Sequence, residues 1–94
     1  MWALPQFTPL LGQCFELRNG ADLPLSVRLV EATALAVQPG APCAPFSLVF
    51  EGPAASQLPQ ATYALAHPAL GSLDIFLVPV ARSPAGIRYE AVFN

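Results

Sequence analysis

The chain has 94 residues, 54% of them hydrophobic and only 11% charged, with a net charge of -2; soluble domains usually carry ~25% charged residues. Its four basic residues are all Arg, which leaves no basic field for nucleic acid. Eleven prolines, and no apolar run near the ~20 residues of a spanning helix, argue against a membrane segment. This length makes one domain over residues 1–94, with a single core and little spare stability. So few charges leave apolar surface in water or under a partner, so a protein partner or homo-oligomer is expected.

Residues 1–12 read as an N-terminal arm. It has neither the basic n-region nor the ~7–15-residue apolar core of a signal peptide, so the expected location is cytoplasmic. Thr8-Pro9-Leu10-Leu11-Gly12 predicts one short helical turn, with Thr8 as cap, Pro9 at the first helical position and Gly12 ending it. Trp2, Leu4 and Phe7 are expected to pack over one open end of a sheet structure.

Cys14 to Arg18 alternates, with Phe15 and Leu17 on one face and Glu16 and Arg18 on the other. Asn19-Gly20 signals a turn, and Leu25 to Ala32 resumes the alternation, predicting a first hairpin. Thr33 to Val37 is ambiguous between strand and turn. Gln38 to Pro45 is a loop, because its prolines deny it a ladder. Phe46 to Glu51 is a strand with Phe46, Leu48 and Phe50 inward. After Gly52-Pro53, Tyr63 to Ala66 is a short strand. His67-Pro68-Ala69-Leu70-Gly71 turns the chain, with Gly71 free to take a positive φ.

Ser72 to Val80 is the longest strand, apolar on both faces past Asp74, and Pro79 within it implies an edge or a bulge. Ile87 to Phe93 closes the chain. Pairing Val80 with Ile87 places Phe76, Val78, Val80, Ile87, Tyr89, Ala91 and Phe93 on one face, inward. Leu73, Ile75, Leu77 and Val92 then fall on the other face, as the candidate interface. The N-terminal arm is the competing cover for that face. In this register Phe76→Ala is a core truncation costing about 3–5 kcal/mol. Six short strands between Pro/Gly loops predict an all-β domain, a small antiparallel barrel or compact sandwich with one N-terminal helical turn.

The charged residues Glu16, Arg18, Arg28, Glu51, Asp74, Arg88 and Glu90 all fall on outer strand positions, the simplest way to solvate a sheet. His67, the single histidine, reads as a turn residue whose ring bonds nearby backbone, because Cys14, Cys43 and Asp74 lie at no metal-motif spacing. There is no G-x-S-x-G, no G-x-G-x-x-G and no P-loop. No catalytic, metal or cofactor residue is assigned, and the expectation is a non-enzyme. Cys14 and Cys43 are either reduced thiols or one disulfide tying the first strand to the Pro-rich loop.

The runs F-T-P-L-L-G-Q-C-F, P-F-S-L-V-F-E-G-P, L-P-Q-A-T-Y-A-L-A-H-P-A-L-G, D-I-F-L-V-P-V and R-Y-E-A-V-F-N resemble an uncharacterised bacterial family, a small domain of unknown function of about this length. The resemblance covers Phe7 to Asn94. It implies a bacterial all-β domain with no assigned activity, variable at its cysteines, and an accessory to a larger, phage-tail-like assembly. The expected function is therefore a structural or protein-interaction module. The alternative is a small β-barrel that binds an apolar small molecule.

Overall fold

Six antiparallel strands close on themselves. In the computed structural model, which describes residues 2–18, 24–37, 39–40, 44–55 and 57–93, they are β1 (Cys14–Arg18), β2 (Leu25–Ala34), β3 (Phe46–Gly52), β4 (Ala61–His67), β5 (Gly71–Ser83) and β6 (Gly86–Phe93). The order around the barrel is β1-β2-β3-β6-β5-β4. β1 shuts the ring against β4 through the pairs Glu16–Ala66, Leu17–Leu65 and Arg18–Ala64. Of the two expected architectures the chain adopts the barrel, which pairs the edges that a sandwich would leave open.

The strand alternation sorts the apolar side chains as the sequence predicts on β1, on β2 up to Leu29, on β3 and on β6. Phe15, Leu17, Val27, Leu29, Phe46, Leu48, Phe50, Leu65, Ile87, Tyr89 and Ala91 are buried inside in one contiguous core. The barrel interior described is thus packed side chains, and the surface depressions lie along its outside, between strands or beside the N-terminal arm.

The β5 strand differs from expectation. Val78 pairs with Glu90 and Pro79 with Tyr89, then the register shifts, and Ala81 pairs with Arg88 and Ser83 with Gly86. Val80 is the extra residue of a β-bulge, next to a proline that has no N–H to give the ladder. The turn is therefore only Pro84-Ala85, held by the Ala85 N–H donating to Ser83 Oγ at 3.2 Å. The one-residue slip reverses the faces of β5. Leu73, Ile75 and Leu77 point into the core, with exposures of 4%, 3% and 0%. Phe76 and Val80 face solvent at 52% and 53%. The inward assignment of Phe76, Val78 and Val80 is thereby corrected. A second bulge, at Val30 between the pairs Leu29–Phe50 and Glu31–Val49, sits in β2, which runs on through Thr33 to Ala34.

Both mouths of the barrel are stopped. At one, the arm forms two 3-10 turns, Leu4–Gln6 and Thr8–Leu10. Phe7 is fully buried, with ring centroids 5.8 Å from Phe46, Phe93 and Trp2. Phe46 and Phe93 stack 4.5 Å apart beneath it. Thr8 does not cap its turn as expected; its hydroxyl donates to the Leu4 carbonyl at 3.1 Å. At the other mouth the buried Leu58 is held by its own N–H, which donates to the Tyr89 hydroxyl at 3.0 Å. The Tyr63 hydroxyl donates to the Pro59 carbonyl. Burial, and then the neighbouring Tyr89, raise the Tyr63 pKa above a tyrosine's ordinary value. Folding therefore favours the neutral phenol, and that contribution is complete below the unfolded pKa and lost as pH rises through the folded one.

Two substitutions test the register. Leu77→Ala is expected to cost about 2–5 kcal/mol in urea unfolding, and Phe76→Ala less than about 1 kcal/mol. The opposite ranking would restore the register expected from sequence. At Gly86, φ is +156° and an added Cβ would lie 2.4 Å from the Gly52 carbonyl oxygen. Gly86→Ala is therefore expected to lose more than about 1 kcal/mol; an unchanged midpoint would refute the close approach.

Candidate interaction surface

Six of the charged side chains of the barrel's outer face pair with one another. On the outer face, Arg28 on β2 pairs in register with Glu51 on β3, and Glu51 with Arg88 on β6. Their side chains form ion pairs of 3.2 Å (Arg28–Glu51) and 3.5 Å (Arg88–Glu51), and Arg88 also reaches Glu31 at 3.2 Å. Glu51 lies between the two arginines with its side chain only 13% exposed. The Val30 bulge brings Glu31 onto this face, a placement that plain alternation along β2 does not give. Glu16 pairs with Arg18 at 2.7 Å. Exposed pairs of this kind contribute at most about 1 kcal/mol each, so the row chiefly solvates the sheet and holds its register.

His67 ends β4 and is buried, its ring 4.8 Å from that of Phe15. The Ala69 N–H donates to Nδ1 at 3.0 Å, so the ring proton sits on Nε2 and is donated to Gln13 Oε1 at 2.8 Å. Glu16 shares a shallow groove with His67, but both ring nitrogens are already engaged, Nδ1 within its own turn and Nε2 on Gln13 just ahead of β1. In that turn the Leu70 N–H donates to the His67 carbonyl, and Gly71 takes φ +76° as expected. No group of three or more His, Cys, Asp or Glu among the described residues is placed to hold a metal. Cys14 is exposed and its thiol free; Cys43 and the Asn19-Gly20 turn lie outside the described residues.

The candidate interface read from sequence divides. Leu73, Ile75 and Leu77 line the core and are covered by the barrel itself, while Val92 stands outside at 52% exposure. Around Val92 the register builds a different apolar surface. Val92 pairs with Ser47 on β3, and Phe76 with Thr62 on β4. Phe76 and Val92 lie two residues along their strands from the Val78–Glu90 pair, so they share the outer face of the β5–β6 hairpin. Glu90 pairs in turn with Val49. Phe76, Val78, Val92 and Val49 thus form one patch around Glu90, with the bulged Val80 at its end, the exposed Thr62 on one side and the buried Ser47 on the other. The two carboxylates on this part of the face, Asp74 and Glu90, have no ion-pair partner among the described residues.

Fold and surface together define a small closed antiparallel β-barrel, stoppered at both mouths, whose apolar feature lies on its outside. The chain belongs to the family described as Domain of unknown function (DUF6916), whose model matches residues 2–93. Neither the curated proteins nor the solved structures compared with it yield a match. No helix among the described residues is long and apolar enough to cross a membrane.

His67→Phe keeps a ring against Phe15 and removes both hydrogen bonds. It is expected to lower stability by about 1–2 kcal/mol in urea unfolding, and an unshifted transition would show that the turn does not depend on them.

Proposed function

We propose that this domain is a non-enzymatic protein-interaction module that works through the outer face of the β5–β6 hairpin, as an accessory to a larger assembly of the phage-tail-like kind. The observation that carries the reading is the exposure of Phe76, Val80 and Val92, each more than half open to solvent on a domain with few charges. Contiguous apolar surface of this kind on a small domain marks an interaction site. The non-enzymatic part rests on the polar inventory: the single histidine is bonded through both nitrogens and held in a turn, and most of the outer charges neutralise one another. Chemistry on a substrate needs a base, a nucleophile or a metal in a shared cleft; supporting the reading, His67 is engaged through both nitrogens, and the two unpaired carboxylates, Asp74 and Glu90, lie on the outer face of the hairpin.

The test is a chain carrying Phe76→Ser with Val92→Thr. Both changes fall on the surface, so its urea midpoint is expected to stay within about 1 kcal/mol of the unaltered chain. Its recovery of partner protein by native co-purification from the source cells is expected to collapse. Undiminished recovery by a variant that is still folded would sink the reading.

A further inference from the structure

Resting on that reading of the β5–β6 face, we infer that its partner is a different protein presenting an apolar centre flanked by Lys or Arg, and not a second copy of this chain. The argument is the charge left over on the face. Asp74 on β5 and Glu90 on β6 flank the Phe76–Val92 patch, and neither has an ion-pair partner among the described residues. The cations of the same outer surface are committed: Arg18, in the row of Asp74 across Ala64, to Glu16, Arg28 to Glu51, and Arg88 to both Glu51 and Glu31. Arg82 carries no ion pair among the described residues, but it pairs in register with the inward-facing Ile87 and so belongs to the opposite face of the hairpin.

A two-fold dimer sets a surface against itself. On this face it would bring the carboxylates of Asp74 and Glu90 into one buried patch with those of the partner copy and no free cation between them. Like charges brought together at an interface are costly, and complementary ones set partner choice. A barrel wall whose strands are hydrogen-bonded on both sides also offers no free edge along the patch, since Phe76 is paired to Thr62 and Val92 to Ser47. Recognition there proceeds through side chains, so the partner's apolar centre meets Phe76 and Val92 while its cations meet Asp74 and Glu90.

The experiment uses the full chain, labelled with 15N, and two synthetic peptides that share one aliphatic–aromatic centre, flanked by Lys in one and by Glu in the other. The Lys-flanked peptide is expected to shift the amide signals of residues 74–78 and 90–92 and to bind about five- to tenfold more tightly than the Glu-flanked one, the scale of two exposed charge pairs. That preference is expected to vanish in the Asp74→Asn, Glu90→Gln variant and to shrink in 0.5 M salt, roughly where the screening length falls to a few ångströms. Equal binding of both peptides, a preference that survives in the variant, or shifts only elsewhere on the barrel would overturn the partner chemistry. So would self-association in light scattering that Phe76→Ser abolishes. That last result leaves the face standing as an interface, whereas the face itself falls only if the Phe76→Ser, Val92→Thr chain keeps its native partner.

Discussion

Closure of β1 on β4 governs the rest of the molecule. Once those strands pair, the ring order puts β3 and β4 on opposite walls. The connection from Gly52 to Ala61 must then cross a mouth of the barrel, and Leu58 is the residue it drops into the opening. The same logic holds at the other end. The N-terminal arm enters β1, yet Phe7 touches Phe46 and Phe93 on the far side of the ring. A six-stranded barrel of this length has a narrow interior, and two crossing segments are enough to seal it. The hydroxyls of Tyr63 and Tyr89 tie the connection from Gly52 to Ala61 down, Tyr89 accepting from the buried Leu58 N–H and Tyr63 donating to the Pro59 carbonyl.

With the core filled, the groups still open to solvent lie on the outer wall. The outer wall is divided into two regions by the strand registers. Where β2, β3 and β6 line up Arg28, Glu51 and Arg88, the wall is a closed set of ion pairs. Where β6 and β5 line up Val92 and Phe76, it is hydrocarbon interrupted by two carboxylates, Glu90 between Val49 and Val78 and Asp74 beyond Phe76. Both regions come from the same alternation, and the difference is only which residues the register places abreast. The bulges at Val30 and Val80 set that arrangement, the first by adding Glu31 to the charged row and the second by turning Phe76 outward.

Much of the barrel was legible in the chain. Period-two spacing marks β1, β3 and β6 because each has one wet face and one dry one, so Glu16 and Arg18, or Arg88 and Glu90, name the outside without ambiguity. The aromatic stopper was legible too, in Trp2, Leu4 and Phe7 placed before the first strand. His67 was legible as a turn residue, though not its bond to Gln13, which depends on a contact between residues far apart in the chain. The failure lies in β5. Past Asp74 both of its faces are apolar, so hydrophobic pattern carries no sign there, and the inference passed to the turn. Reading residues 81–86 as loop gave one register; the two-residue Pro84-Ala85 turn with a bulge at Val80 gives the other, and every side chain of the strand changes sides.

The sequence by itself determined the class of the fold, the number of strands, the direction of most side chains and the scarcity of chemical groups. These are local matters, set by alternation, by Pro and Gly at the turns and by composition. Tertiary structure alone decided that the sheet closes, that Leu73, Ile75 and Leu77 are core and Phe76 is surface, and that Asp74 and Glu90 remain unpaired beside it. Those outcomes depend on which strands meet and in what register. One added residue in β5 shifts that register, and no local preference along a strand apolar on both faces can record it.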